Sequence, residues 1–174
     1  MPILISDATV VHDLDRGRLL TALADLPEAF FVPDMLIDKD ISPGAASTLR
    51  ASGVRVVSLD GRELADAIAA HRGEGTLSLG ECCALAFARV RRCGMLTTYG
   101  ELRSAALNQG ISVCCALWCL DQIQAAALRD TVQLYAALQA MVGRSHHAFP
   151  PDQVTQRITR LALAERAATT KARA

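Results

Sequence analysis

The sequence predicts an α/β fold in which a central parallel sheet of about five strands lies between two layers of helices. Two observations predict it. Short aliphatic segments, typical of buried strands, alternate along the chain with longer segments of helical periodicity. Turn residues such as Pro33, Gly53 and Gly110 separate the segments. Because such alternation indicates βαβ units, we expect a three-layer α/β/α sandwich with further helices at the C-terminus.

Each predicted strand is a short aliphatic or β-branched run that stops at a turn residue or at an acid. The first ends at Asp7, the second is stopped by Pro33, and the third follows Gly53. The predicted strands are residues 3–6, 29–32, 54–59, 95–98 and 111–115. In parallel sheets ligands gather at the carboxyl ends of the strands, so a functional site is expected there.

Segments of helical periodicity fill the intervals between the strands. An irregular apolar stripe covers residues 10–23, and Ser42-Pro43 is expected to end the helix after the second strand. Gly94 is expected to cap the helix before the fourth strand. The other predicted helices are residues 34–41, 62–72, 78–93, 100–108, 118–128, 130–142 and 151–168.

Length and composition fit a single domain with an aliphatic core, since 51% of the 174 residues are apolar. We expect an α/β domain over residues 1–120 and a helical extension over residues 121–174 that packs on the same domain. No apolar run approaches the roughly 18 residues of a membrane span, and residues 1–7 lack the basic start of a signal sequence. We therefore expect a cytoplasmic protein with no membrane partner.

Cysteines, histidines and net charge narrow the possible ligands. The six cysteines lie in apolar segments without C-x-x-C spacing, which favours buried reduced thiols over a zinc site. His146-His147 lie between predicted helices, where a solvated loop pair is the more common outcome. The 18 basic and 18 acidic residues balance, which lowers the expectation of strong non-specific binding to nucleic acid.

Acidic residues follow the predicted strands at separate places in the chain. Asp7 follows the first strand, and Asp34, Asp38 and Asp40 follow the second. Glu81 opens the helix before the fourth strand. Carboxylates that converge at one sheet edge repel one another unless a cation such as Mg²⁺ or Mn²⁺ is present. A metal ion held there would activate water and stabilise the charge that builds on a phosphodiester.

Three of these acids also have a structural role open to them. Asp7 suits the N-cap of the first helix, and Asp34 suits the first turn of a helix after Pro33. Glu81 completes the capping-box pattern that starts at Ser78. Because capping is the more common reason for an acid at these positions, spacing alone does not decide between a cap and a metal ligand.

Four segments, in order, resemble motifs of the PIN domain family. The first is a strand that ends in Asp, and the second is a strand followed by Pro and by a helix that bears an acid. The third is the start of a helix with a serine and an acid. The fourth is the family's motif at the fourth strand, which leads into Thr-x-Asp. They are Ile3-Leu4-Ile5-Ser6-Asp7-Ala8, Val32-Pro33-Asp34 through Asp40-Ile41, Leu77-Ser78-Leu79-Gly80-Glu81, and Met95-Leu96-Thr97-Thr98-Tyr99 through Arg103. The resemblance covers residues 1–120, and the helices that follow are similar to extensions of some bacterial members.

The resemblance implies a metal-dependent endoribonuclease, and in particular the toxin of a bacterial toxin–antitoxin pair. It implies that Asp7, Asp40 and Glu81 are the catalytic acids and bind Mg²⁺ or Mn²⁺. If the helix after the second strand turns a different face to the site, Asp38 and not Asp40 is the metal-binding acid of this segment. RNA would be the substrate, with an antitoxin protein and a second copy of the chain as partners.

Candidate contacts to RNA phosphates and to a second copy are found elsewhere in the sequence. Arg103 and the cluster of Arg89, Arg91 and Arg92 are candidate phosphate contacts, although an exposed helix end explains such a cluster equally well. The helix over residues 151–168 places apolar and arginine side chains side by side, a pattern suited to packing on its own domain or on a second copy.

One position departs from the family pattern. The Thr-x-Asp motif after the fourth strand is Thr97-Thr98-Tyr99 here. A phenol of pKa about 10 is a poor ligand for Mg²⁺ at neutral pH. Glu101 lies two residues later and points elsewhere if residues 100–108 are helical. Tyr99 could instead stack on a base or simply pack.

Two alternatives to an active nuclease therefore stay open. One is a catalytically degraded PIN-like module that binds RNA or a protein partner. The other is an unrelated α/β protein in which the acids are all helix caps. The last alternative is favoured if Asp7 and Glu81 lie far apart in the folded protein.

Overall fold

Strands and helices alternate along the folded chain. A computed structural model describes residues 1–74, 77–144 and 149–172. Within these ranges the strands are β1 (Ile3–Ile5), β2 (Phe30–Pro33), β3 (Arg55–Val57), β4 (Gly94–Leu96) and β5 (Val113–Cys114). The helices are α1 (Ala8–Arg16), α2 (Asp34–Lys39), α3 (Pro43–Ala51), α4 (Gly61–Glu74), α5 (Leu79–Arg91), α6 (Gly100–Asn108), α7 (Ala116–Ala125), α8 (Thr131–Arg144) and α9 (Pro151–Ala172). A 3₁₀ segment (Leu20–Asp25) follows α1.

The strands form one parallel sheet in the order β3-β2-β1-β4-β5. β1 lies at its centre, with Ile3 opposite Phe30 of β2 and Leu4 opposite Met95 of β4. The chain moves outward from β1 through β2 to β3, and then returns to place β4 on the other side of β1. This reversal makes a switch point between β1 and β4, where open α/β sheets hold their ligands.

The two faces of the sheet carry separate apolar cores, because successive side chains of a strand point to opposite faces. On one face, Ile3, Ile5 and Leu96 pack with α1, α3, α7 and α8. On the other face, Leu4 and Met95 pack with α5 and α6. The predicted three-layer α/β/α sandwich with a five-stranded parallel sheet is thereby confirmed for the described residues.

The C-terminal helices belong to the first of these cores. The boundary expected between residues 120 and 121 falls inside α7, and the buried Leu117 of α7 and Leu138 of α8 share a cluster with Val10 of α1. Arg157 and Arg160 of α9 both donate hydrogen bonds to the carboxylate of Asp121. α9 is therefore held on the chain's own α7 by arginines from its basic side.

Local structure differs from the sequence prediction at three places. The Ser42-Pro43 pair begins α3 instead of merely ending a helix, because the Ser42 hydroxyl accepts from the backbone of Ala45 and proline suits the first turn. Gly94 is the first residue of β4, and Arg92 in the left-handed region caps α5. The stripe over residues 10–23 breaks into α1 and the 3₁₀ segment.

The remaining sequence predictions concern thiols, histidines and membrane spans. All six cysteines are free, four of them are buried, and burial raises the pKa of Cys114 to about 12. The prediction of buried reduced thiols is met by four of the six, since Cys114 and Cys115 are half-buried. His146-His147 lie outside the described residues. In the part of the chain that the structure describes, no helix is both long enough and apolar enough to cross a bilayer.

Candidate functional site

A cavity of about 630 Å³ opens at the carboxyl ends of β1, β2 and β4, directly at the switch point of the sheet. We call it the acidic cavity. Its lining includes each of the three acids singled out as catalytic in the sequence, together with the tyrosine that departs from the motif and one lysine: Asp7, Asp40, Glu81, Tyr99 and Lys39. The sheet thus brings together residues that are more than 70 positions apart in the sequence.

Asp7 follows the central strand β1 and is held by hydrogen bonds from the first turn of α1 and from the segment after β4. One carboxylate oxygen accepts from the backbone N–H of Thr9 (N···O 2.8 Å), which makes Asp7 the N-cap of α1. The other oxygen accepts from the backbone N–H and hydroxyl of Thr98 at 2.9 and 2.6 Å, and from the Thr97 hydroxyl at 3.3 Å. Asp7 therefore joins the end of β1 to the segment after β4.

Opposing effects set the charge of Asp7. Burial alone would raise the pKa of its carboxyl group, but the hydrogen bonds from Thr98 and Thr9 favour the ionised form. The net result is a pKa below the ordinary value for Asp. Asp7 is consequently an anion at neutral pH, and its charge is stabilised by donors of the protein itself.

Glu81 reaches the cavity from the first turn of α5 and also caps that helix. Its carboxylate accepts from the backbone N–H of Ser78 at 2.7 Å, and its own N–H donates to the Ser78 hydroxyl at 3.3 Å. This reciprocal pair is the capping box that the sequence predicts. The distant placement of Asp7 and Glu81 that would favour an unrelated fold is not observed, since both line one cavity.

The three acids after β2 have separate positions. Asp40, the C-cap of α2, is exposed and lines the acidic cavity, whereas Asp38 is exposed outside its lining. Asp34 turns toward the end of β3, where it accepts from the Ser58 hydroxyl at 2.6 Å. Lys39, which the sequence analysis did not single out, lines the cavity beside Asp40. Its position at the last turn of α2 is the signal that could have indicated it.

Tyr99 occupies the rim of the acidic cavity as the N-cap of α6. Its backbone N–H donates to the Thr97 hydroxyl at 3.1 Å, so the segment from Thr97 to Tyr99 wraps the Asp7 carboxylate. Its side chain is 43% exposed, and its hydroxyl donates to Glu101 at 3.2 Å. The hydrogen bond to Glu101 and the charge of that carboxylate raise the pKa of Tyr99, which keeps the phenol neutral.

The arginines proposed as phosphate contacts lie elsewhere. Arg89 pairs with Asp66 at 2.8 Å, and Arg91 pairs with the buried Glu63 at 2.7 Å. Both belong to the last turns of α5, and at 1.5 Å per residue they lie about 12 and about 15 Å along the helix from Glu81. Arg92 caps the same helix, and Arg103 is exposed outside the cavity lining. The arginine cluster therefore has the structural function that its helix-end position indicated.

Two of the three acids that the resemblance implies as Mg²⁺ or Mn²⁺ ligands are bonded to donors of the chain itself. The Asp7 carboxylate accepts four hydrogen bonds, three at Oδ2 and one at Oδ1. Glu81 is engaged by Ser78, and Tyr99 supplies no charge. Within the described ranges, no three His, Cys, Asp or Glu side chains form a group that could hold a metal ion.

Comparisons of this chain with protein-family models, with curated proteins and with solved structures found no match. The resemblance to PIN domains consequently rests on the four sequence segments. The α/β/α architecture and the shared cavity are consistent with it.

Proposed function

We propose that this chain is a PIN-like module that binds a basic segment of a protein partner in the acidic cavity and does not cleave RNA. The proposal rests on which charged groups the acidic cavity contains and on the hydrogen bonds that they already make within the chain. Tyr99 stands where the family motif has an acid, and Asp7 and Glu81 are already engaged by donors of the chain itself. These features support a site for binding over one for metal-dependent hydrolysis.

The charge of the acidic cavity favours a cationic ligand. Asp7, Asp40 and Glu81 line it, and Lys39 is the only cation in its described lining. RNA phosphates approaching this edge would meet a net negative charge, and a site without basic excess gains nothing from counterion release. A lysine or arginine side chain of a partner would instead be attracted to the carboxylates.

The apolar part of the lining suits a peptide more than a free metal ion or an amine. Met35 and Leu36 are half-buried there, and Leu79 and Tyr99 are exposed at its edge. An aromatic ring and aliphatic side chains around a charged centre match the composition of protein-binding sites. An antitoxin would be one partner of this kind, and a second copy of the chain and a cytoplasmic location are parts of the same proposal.

A second candidate is the metal-dependent ribonuclease, favoured by one observation. Asp7, Asp40 and Glu81 come from three separate elements and nevertheless line a single cavity at the switch point. In that case these residues would hold Mg²⁺ or Mn²⁺, which would supply activated water for phosphodiester hydrolysis. The two candidates differ in ligand charge, so one set of variants can separate them.

The test combines a cleavage assay and a binding assay on the full chain. A single-stranded oligoribonucleotide is incubated with the protein in Mn²⁺, and a labelled peptide of alternating Arg and Leu is titrated by fluorescence anisotropy. We expect peptide binding, no cleavage, and a severalfold loss of peptide affinity in Glu81→Gln, which removes a charge and keeps the capping geometry. Asp38→Asn, an acid outside the cavity, is the matched control.

The ribonuclease candidate predicts the opposite pattern. Cleavage of RNA by the wild-type chain, abolished in Glu81→Gln and retained in Asp38→Asn, would establish the nuclease and overturn our proposal. Mn²⁺-dependent cleavage by Tyr99→Asp alone would support the proposal, because it would show that Tyr99 is what separates this site from an active one.

A further inference from the structure

A second cavity, of about 760 Å³, lies between the C-terminal end of α1 and the first turns of α8. We call it the basic cavity. Three arginines line it, namely Arg16, Arg18 and Arg129, and none of its described lining residues is acidic. Its volume is that of a small-molecule site. No motif in the sequence indicated it.

The arginines differ in how their charges are balanced. Arg16 donates to the buried Asp13 at 3.3 Å, which offsets part of its charge. Arg18 and Arg129 have no ion pair within the ranges that the structure describes. Two positive charges thus face a common space without a carboxylate, an arrangement that attracts an anion.

Arg129 is fixed in place before any ligand arrives. Its guanidinium donates to the carbonyl of Leu128 at 2.7 Å and to the Thr21 hydroxyl at 3.2 Å. A guanidinium carries five N–H donors, so donors remain for a ligand. A cation held in this way loses little conformational freedom on binding, which increases affinity.

Neutral polar groups and small side chains complete the basic cavity. The amide oxygen of Gln133 accepts from the backbone of Asp130 at 3.1 Å, which leaves its NH₂ group as a donor. α8 contributes alanines on this side, so the space between the arginines is not filled by bulky side chains. The lining therefore offers donors of hydrogen bonds and little steric obstruction.

We propose that the basic cavity binds a phosphate-bearing small molecule of nucleotide size, with its phosphate between Arg18 and Arg129. Guanidinium groups match the geometry and charge of phosphate oxygens. The cavity has room for more than the phosphate, and the Gln133 amide can bind an attached polar group. A row of cations along a surface would indicate a nucleic-acid strand, whereas these arginines converge on one space. This proposal is independent of the function of the acidic cavity.

Arg18 provides a variant that removes the charge without harming the fold. It has a φ of 54°, and its N–H bonds to the carbonyl of Asp15 while that of Leu19 bonds to Leu14, which is the helix-ending pattern that glycine favours. Arg18→Gly should fold at least as well as the wild type. Arg92→Gly is the matched control, because Arg92 has a φ of 52° at the end of α5 and lies outside the basic cavity.

Isothermal titration calorimetry of the full chain with inorganic phosphate and with a nucleoside monophosphate tests the proposal. We expect the nucleotide to bind, Arg18→Gly to weaken it at least tenfold, and Arg92→Gly to leave it within twofold. Tighter binding of the nucleotide than of phosphate would support recognition beyond the phosphate, and equal binding would overturn the nucleotide-sized ligand and leave a site for phosphate alone.

Three further results would overturn it. The first is no saturable binding of either probe at millimolar concentration. The second is an equal loss in both variants, which would show a general charge effect. The third is a single-stranded oligoribonucleotide that binds more tightly than the nucleotide through the same arginine, since the ligand would then be a nucleic-acid strand.

Discussion

The acidic and basic cavities lie at opposite ends of α1, about 14 Å apart along a nine-residue helix. At the acidic end, Asp7 accepts four hydrogen bonds and Glu81 belongs to a capping box. At the basic end, Arg18 is exposed and has no ion pair among the described residues. The charges of Asp7 and Glu81 are thus part of the folded framework, whereas the charge of Arg18 has no ion pair that ties it to that framework.

This difference predicts that substitutions at the two ends act on different properties. Removing the charge of Asp7 or Glu81 from the acidic cavity should lower stability, because capping and strand-end hydrogen bonds are lost with it. Removing that of Arg18 from the basic cavity should change ligand affinity and alter stability much less.

Asp7→Ala should cause the largest loss of stability. It leaves the donors of Thr9, Thr97 and Thr98 without their acceptor and removes the N-cap of α1. We expect the free energy of unfolding to fall by about 3 kcal/mol, measured by urea denaturation. The control is Asp38→Ala, an exposed acid, with an expected change within about 0.5 kcal/mol. Equal losses in the two variants would contradict a structural function for Asp7.

The loss of stability at acid pH should also depend on the Asp7 carboxylate. The pKa of Asp7 is lower in the folded chain than its ordinary value of about 3.9, so the unfolded chain binds the proton more readily. Its contribution is complete above about pH 4 and is lost as the pH falls through the folded pKa. Urea unfolding between neutral and acidic pH should show a smaller acid-dependent loss in Asp7→Asn than in the wild type. Superimposable pH profiles would contradict the assignment.

Two substitutions of Glu81 separate the effect of its capping hydrogen bond from the effect of its charge. Glu81→Ala removes the acceptor for the Ser78 N–H and should cost about 1 kcal/mol of unfolding free energy, whereas Glu81→Gln keeps an acceptor oxygen and should cost less than half as much. Thermal or urea denaturation of both variants measures this. If Gln is as costly as Ala, the charge of Glu81 and not its capping bond stabilises α5.

Arg18→Gly should have a small effect in the opposite direction. An arginine in the left-handed region is strained, and glycine relieves that strain at the cost of greater freedom in the unfolded chain. The net result should be a gain of roughly 0.5 kcal/mol by urea denaturation. A loss of more than about 1 kcal/mol would mean that Arg18 contributes to the fold, contrary to the contrast drawn here.

The smallest expected effect concerns Tyr99, and it is a change in the pH at which its phenol titrates. Its pKa is raised chiefly by the hydrogen bond to Glu101, so Glu101→Gln should lower it toward the ordinary value. Ultraviolet absorbance of the phenolate measures the shift, with Tyr135→Phe as the background because the chain has two tyrosines. An unchanged titration would show that Tyr99 does not bond to Glu101 in solution.

The architecture could be predicted from the sequence because the patterns that indicate strands and helix caps are local in the chain. Alternating aliphatic runs predicted the parallel sheet, and Ser78 with Glu81 predicted a capping box that the structure contains. Local signals are insufficient at α3, where Ser42-Pro43 predicts the end of one helix and in the structure begins another. Proline occupies both positions, so a local pattern does not separate them.

The acidic and basic cavities also differ in how far the sequence could predict them. The acidic cavity could be predicted because acids at strand ends converge by topology, although the place of Lys39 depends on how α2 turns at its last residues. The basic cavity joins residues 16–19 to residues 129–140, whose proximity is decided by the packing of α8 on α1. No spacing rule connects such segments, so only the folded chain shows them together.

The placement of opposite charges at the two ends of α1 has an electrical consequence. Asp7 lies at the N-terminus of the helix and Arg16 and Arg18 at its C-terminus, so both ends complement the helix dipole. The net charge of the chain is zero, yet the side chains lining the two cavities are mainly acidic at one end of α1 and basic at the other, which makes a local dipole along this helix. The field of that dipole would favour one orientation of a charged partner as it approaches this part of the molecule.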